Sequence, residues 1–487
     1  LTSTVTCAGN WYSNGGSLNN LVVDLSGAGK TVTTGASQSF YDLTVSGSYT
    51  QSSWTNVTHI FTISGSFVLN VLTFSNLGGA SSMGDFSFAS GTFIAGNYLD
   101  ITGNWDSSSI TFTEGASTVK MSGASKTITM TATQKFYNLQ ISGETTITNY
   151  AKVNRSFTLD AGIDLIITNN FVFNCSGGGS WSNGHLISGG TLWFKFDTAS
   201  ATITPGSISS AVVICLRSIA TADRTFTLGN DASFGSTLTV NSSSATKRMF
   251  LDDGSNRLLS VTGLTTLGTR GVMVQGTGTW TFAGFTQSGA SSIFNENGTV
   301  NSGAVLLSGG VMNGKTSAVW TCSGNFARTS GTLTPNIFNL TMDTDGTTLS
   351  ENTNTAIYYY AIQIDCNMFL YGHGIPILAK SHLHLSVGHT CTMKYGSGIG
   401  LYVEDATDTY INEGTFLSAS SIALQLWVII VVGNSQTFTW TPGDLDCHVY
   451  VMSTTGDGTL VLGTGLECWN LNTYGGTQGY GGTGVLV

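Results

Sequence analysis

Two histidines, His382 and His384, stand two apart in the segment HLHLSV (382–387). On an extended strand that spacing puts both imidazoles on one face, close enough to share a metal ion. No Cys, Asp or Glu accompanies them at ligand spacing within the strand. Polar decoration of a surface is therefore the stronger reading, and the sequence calls for no metal and no cofactor. His373 and His389 complete the local cluster, with Cys391 just beyond.

Acidic residues are sparse. Asp252, Asp253 and Arg257 in FLDDGSNR form the best local set for proton transfer on a polysaccharide, which needs several acidic and basic groups converging on one face. The same residues read equally well as a solvated turn. Asp343 and Asp345 in DTDG lack the further acids of a Ca²⁺ loop, and the pairs Glu404–Asp405 and Asp444/Asp446 stand alone. DLSGAGKT (24–31) suggests a phosphate loop, but Asp24 occupies the position that needs Gly, and TVTTGAS follows where a helix should start. Catalysis is not expected.

Eight cysteines form no CxxC pair. Cys366 and Cys391 are 25 apart, and Cys447 and Cys468 are 21 apart. Each interval is about one coil of a stacked repeat, so each pair is expected to form a coil-to-coil disulfide. Cys7 and Cys322 share the context TC(A/S)GN and could bridge subunits. Acceptor sequons at Asn56, Asn154, Asn174, Asn241, Asn297 and Asn339 permit glycosylation without being enriched over chance. Tyr358, Tyr359 and Tyr360 are consecutive, so at least one ring must face outward, where it could stack on a sugar.

The elements that carry these residues are strands. KTITMT (126–131) alternates, with Ile128 and Met130 inward. TLWFKF (191–196) sends Leu192, Phe194 and Phe196 inward, and HLHLSV does the same with Leu383, Leu385 and Val387. A two-residue period rich in Thr, Val, Ile and Phe is strand chemistry. Short Gly-, Ser- and Asn-containing turns separate the runs. The most apolar run, SIALQLWVIIVV (421–432), is too short to cross a membrane as a helix. It reads as a strand buried on both faces, and Leu424, Leu426, Trp427, Ile429 and Val431 are its expected assembly contacts.

One block of thirty residues occurs twice. LVVDLSGAGKTVTTGASQSFYDLTVSGSYT (21–50) returns as STVKMSGASKTITMTATQKFYNLQISGETT (117–146), offset by 96, with half the positions identical. The retained residues include Lys30/Lys126, Gln38/Gln134, Phe40/Phe136, Tyr41/Tyr137 and Leu43/Leu139. No linker separates the copies, which favours an elongated parallel β-solenoid of about 20 coils, with the offset of 96 as about four coils of roughly 24 each. Tandem β-sandwich modules are the alternative. The solenoid is expected to be regular over 1–200 and less regular over 201–420. A divergent segment, 421–487, would cap it or drive assembly. The echo of TVTCAGNW (4–11) in VWTCSGNF (319–326), with GNW again at 103–105, carries the repeat into the second half.

Composition narrows the function. Of 487 residues only 9% are charged, the net charge is −10, and Gly alone contributes 62. So few cations make nucleic acid a poor match as partner. Surface polarity must come from Ser, Thr, Asn and Gly, which resists self-association weakly. The first residue, Leu1, with no signal-like start, suggests a processed or trimmed chain.

The FYDLTVSG and FYNLQISG segments, each following SGAxKTxT, resemble repeats in large secreted adhesin-like and surface proteins of bacteria, archaea and their viruses. The resemblance covers about 60 residues in two blocks and transfers no catalytic residue. It implies a β-solenoid with a surface-exposed structural or adhesive role. The expectation is a non-enzymatic extracellular protein that assembles with itself into a filament, sheath or surface layer. An adhesin or viral fibre that binds surface glycans is the alternative, and a polysaccharide-active β-helix enzyme comes behind it.

Overall fold

In the computed structural model the chain is all-β, and the strands pair in parallel as a β-solenoid. The description is continuous over residues 97–174, 222–334, 338–352, 357–372 and 377–394, and elsewhere covers shorter stretches that are mainly strands. Much of the chain after 419 lies outside it. Among the described residues no helix is long and apolar enough to cross a membrane. Two compact units are present, one formed by Leu1–Thr237 with Ser243–Lys247, the other by Leu238–Ser242 with Arg248–Val487.

In the first unit one file of equivalent residues runs Cys7, Leu25, Val45, Ile63, Met83, Ile101, Met121, Ile141 and Leu159. A shorter step, as from Val45 to Ile63, mixes with a slightly longer one, as from Ile63 to Met83. The duplication offset, from Leu25 to Met121, therefore spans five coils and not four. The longer uniform coil expected from that offset does not describe the chain, and the coil count drawn from it does not carry over. Later steps lengthen, as the succession Phe157, Gly179, Ile203 and Leu228 shows. Parallel pairing between successive coils also displaces the β-sandwich reading, whose sheets are antiparallel.

Two more files complete each coil. Phe86, Trp105, Ile128, Ile147 and Ile167 form one, and Phe136, Val153, Phe173 and Phe194 belong to the other. Their side chains are buried. Phe86 and Trp105 stack with centroids 3.9 Å apart and planes 4° from parallel. In both copies of the duplicated block the bulge is kept: register shifts between Phe40 and Asp42, and again between Phe136 and Asn138. Phe40, Leu43, Phe136 and Leu139 are buried there. The tyrosines between them are not core residues. Tyr137 faces outward against Arg155, whose guanidinium lies 5.4 Å from the ring centroid.

The second unit follows the same plan. Leu259, Trp280, Val300, Trp320, Leu340, Ile362 and Leu383 form one buried file. Another runs Leu267, Gln287, Leu307, Arg328 and Glu351, and is polar at three of five inward positions. The inward alternation of Ile128/Met130, of Leu192/Phe194/Phe196 and of Leu383/Leu385 is as the sequence indicated. Val387 is the exception, at 73% exposed. The strand Ile377–Leu385 ends before it, and Gly388, with φ +79°, turns the chain. Gly tolerates that left-handed backbone because it has no Cβ.

The apolar run near the end is a strand over Trp427–Val432, paired in parallel with Gly398–Val403 on one edge and His448–Ser453 on the other. Both backbone edges are already used, so strand addition at this run is closed. Leu424 and Leu426 lie outside the described residues. Trp427, Ile429 and Val431 stand in the strand, described at the level of its backbone.

Candidate functional site

The SGAxKT turn is a stacking device. A Cβ on Gly27 would meet Ala8 O at 2.1 Å, and one on Gly123 would meet Thr102 O at 1.9 Å. Only Gly lets the coils approach so closely. Gly29 is left-handed at φ +65°, and its copy Ser125 keeps that backbone at φ +56° without glycine. The turn returns to a strand in both copies, Lys30–Thr34 and Lys126–Thr129. A strand thus stands where a phosphate loop requires a helix to start.

The GN echo has a physical meaning. Asn10 Oδ1 accepts Thr31 N–H at 3.1 Å, Asn104 Oδ1 accepts Thr127 N–H at 3.0 Å, and Asn325 Oδ1 accepts Thr348 N–H at 2.9 Å. Asn256 and Asn367 do the same for Thr277 and Thr390. Each asparagine caps a backbone group one coil further on. Asp85 and Asp345 in turn accept the N–H of Asn104 and Asn367. The Asn367 N–H holds the Asp345 carboxyl below its ordinary range. DTDG is thus a turn.

Asp253 is committed to its own corner. Its carboxylate accepts Ser255 N–H at 3.1 Å and Gly276 N–H, one coil on, at 2.6 Å. Burial pushes its pKa up, and those N–H groups oppose the shift. Asp252 accepts Gly254 N–H. These acceptor roles build the turn, and the nearby Arg257 adds to the groups that oppose the upward shift of Asp253.

Cys366 and Cys391 are not bonded to one another, because register sets Cys391 opposite Met368, two positions past Cys366. Cys447 and Cys468 lie outside the described residues. Cys322 is buried and cannot bridge subunits; burial raises its thiol pKa to about 11. Asn339 and Asn174 are also buried. Asn339 Nδ2 donates to Thr316 O and Ala318 O, and Asn174 Nδ2 to Asn154 Oδ1, so neither amide is open to glycosylation. Asn154, Asn241 and Asn297 are half-buried, and the Asn56 side chain lies outside the description.

Several buried polar groups escaped sequence reasoning. Gln134 Nε2 donates to Ser107 O and Ile110 O, and its Oε1 accepts Ser107 Oγ–H. Gln275 donates to Gly278 O and Thr299 O. Arg328, Glu351 and Tyr359 form a triad inside the solenoid, exposed by 4%, 3% and 0%. Arg328 Nε donates to Glu351 Oε2 at 2.6 Å, and Tyr359 O–H donates to Glu351 Oε1 at 2.6 Å. Burial raises the Glu351 carboxyl pKa, and Arg328 opposes it. Glu296 is buried with no hydrogen-bond partner on either carboxylate oxygen. Burial holds its pKa well above the ordinary range.

A broad concavity with outward polar groups lies around the histidines. His382 and His384 do share an outward face. His384 Nε2 lies 3.2 Å from Glu413 Oε2, and His382 Nδ1 lies 2.7 Å from Ser381 O and 2.8 Å from Thr409 Oγ1. Among the described residues no three His, Cys, Asp or Glu side chains converge as metal ligands. Both rings, with Thr341, Tyr360 and Gln363, line a groove of about 620 Å³. A smaller groove of about 260 Å³ is lined by Thr281, Asn301 and Thr321. The chain matches no protein-family model, no curated protein and no solved structure.

Proposed function

We propose that this chain is a non-enzymatic extracellular structural protein that assembles with copies of itself into a filament, sheath or surface layer. The observation that carries the reading is the repeated asparagine cap: Asn10, Asn104, Asn256, Asn325 and Asn367 each bond the backbone of the following coil. A contact that recurs at intervals along the stack joins one coil to the next through backbone groups that every coil carries, so a coil of a second copy can meet it as the chain's own next coil does. Low charge supports the same reading, since little electrostatic repulsion opposes close approach of copies. The residue types that could do chemistry are largely spent on holding coils together, as Asp253 and the Arg328–Glu351–Tyr359 triad illustrate.

Electron microscopy and sedimentation over a concentration series test this reading. Ordered polymers that grow with concentration are the expected result. Monodisperse monomers throughout would overturn it. The adhesive alternative is favoured by a separate observation, the polar grooves of the second unit.

A further inference from the structure

We propose that one outward face of the second unit binds a linear, neutral glycan laid along the stacked coils. Strand register places Thr281, Asn301, Thr321, Thr341, Gln363 and His384 in a single file, one per coil. The inward neighbours of this file are buried, so its members point away from the core. The first three line the smaller groove and the last three the larger, so both concavities lie on one continuous track.

The chemistry of the file selects the ligand class. Hydroxyl, carboxamide and imidazole groups both donate and accept, which matches the hydroxyls of a neutral sugar. No Lys or Arg lines either groove among the described residues, so phosphate and sulfate have no cation to meet. A peptide strand is disfavoured because the backbone groups of this face already bond coil to coil. Tyr360 and the two imidazoles add flat rings on which sugar C–H faces can rest. Spacing agrees as well: coils repeat at about 4.8 Å, close to the rise of an extended β-linked glycan, so one sugar can address each coil.

Calorimetry with cellohexaose, xylohexaose and mannohexaose, and with the corresponding dimers, tests the proposal on the full chain. At least one hexamer should bind saturably and about ten-fold or more tighter than its dimer, because only the longer chain engages several coils. Thr341→Arg and Gln363→Ala should each weaken that hexamer about ten-fold or more with the melting temperature unchanged. Failure of all three hexamers to bind would overturn the proposal. So would equal affinity for hexamer and dimer, or binding that ignores both substitutions. Loss of self-association in Thr341→Arg, without glycan binding by the parent, would reassign the face to contact between copies. Polymers that form normally in that variant separate this proposal from the structural reading above.

Discussion

Asn104 Oδ1 accepts two hydrogen bonds from Thr127, one coil further on: from the backbone N–H at 3.0 Å and from Oγ1 at 3.1 Å. The side chain of one coil thereby fixes where the strand of the next begins. Asn104→Ala should cost about 0.5–1.5 kcal/mol, the net worth of such a bond in an exposed setting. Asn104→Asp keeps the acceptor and should cost less. Chemical denaturation midpoints compare the two, and equal losses would show that the cap contributes nothing specific.

Ser125 holds a left-handed backbone that its counterpart, Gly29, adopts without a Cβ. Ser125→Gly should therefore stabilise the fold by up to about 1 kcal/mol, less the exposed bond from Ser125 Oγ to Glu144 Oε1. The reciprocal Gly29→Ser should destabilise it. Thermal melts of both variants give the check, and a destabilised Ser125→Gly would contradict it.

Glu296 gives stability a pH dependence with a defined sign. Its folded pKa is raised by burial, so below the unfolded range, about 4.3, both states hold the proton. As pH rises beyond that value the unfolded chain ionises first. This carboxyl then lowers stability by about 1.4 kcal/mol per pH unit until the folded pKa is reached. Glu296→Gln should remove that decline and be the more stable protein at neutral pH. Denaturation at several pH values decides it, with an unchanged slope counting against the assignment.

The Arg328–Glu351–Tyr359 triad sits where the file would otherwise hold apolar side chains. Arg328→Met strips Glu351 of its charged partner and should destabilise by roughly 3–5 kcal/mol. Pairing it with Glu351→Met should recover much of that loss, because no uncompensated carboxylate remains. A double variant as unstable as the single one would mean that packing, and not charge, sets the cost.

Cys322 should be inert while folded, since burial raises its thiol pKa to about 11 and only the thiolate reacts. Mass spectrometry after alkylation at pH 8 should find it unlabelled in native protein and labelled in denaturant. Native labelling at the rate of an open thiol would refute its placement in the core.

Strand alternation was legible because a two-residue period needs only the residues themselves. Coil length was not, because an offset of 96 divides into four coils as readily as five. The turns that decide between them let shorter and longer coils mix, and they look alike in composition. Inward polar residues escape any reading in which polarity means outward. Yet parity carried the signal: Gln287 shares its face with Phe285, Arg328 with Phe326, and Glu351 with Leu349. Val387 failed for the opposite reason, its alternation continuing in the sequence past the point where Gly388 turns the backbone. The outward file of the second unit is invisible to local reading, since its members come from separate coils and only register aligns them.

The coil register in the first unit also dictates how the chain should respond to being pulled. The described strands there pair with strands one coil away in sequence, so closing a coil costs a short loop. Under tension from one end, the unit should surrender one coil at a time. Each step would release a length on the order of 60–90 Å of extended chain, the later coils giving the longer steps. Such a chain yields in small, repeatable increments, the behaviour of a fibre that absorbs load without losing the whole fold at once.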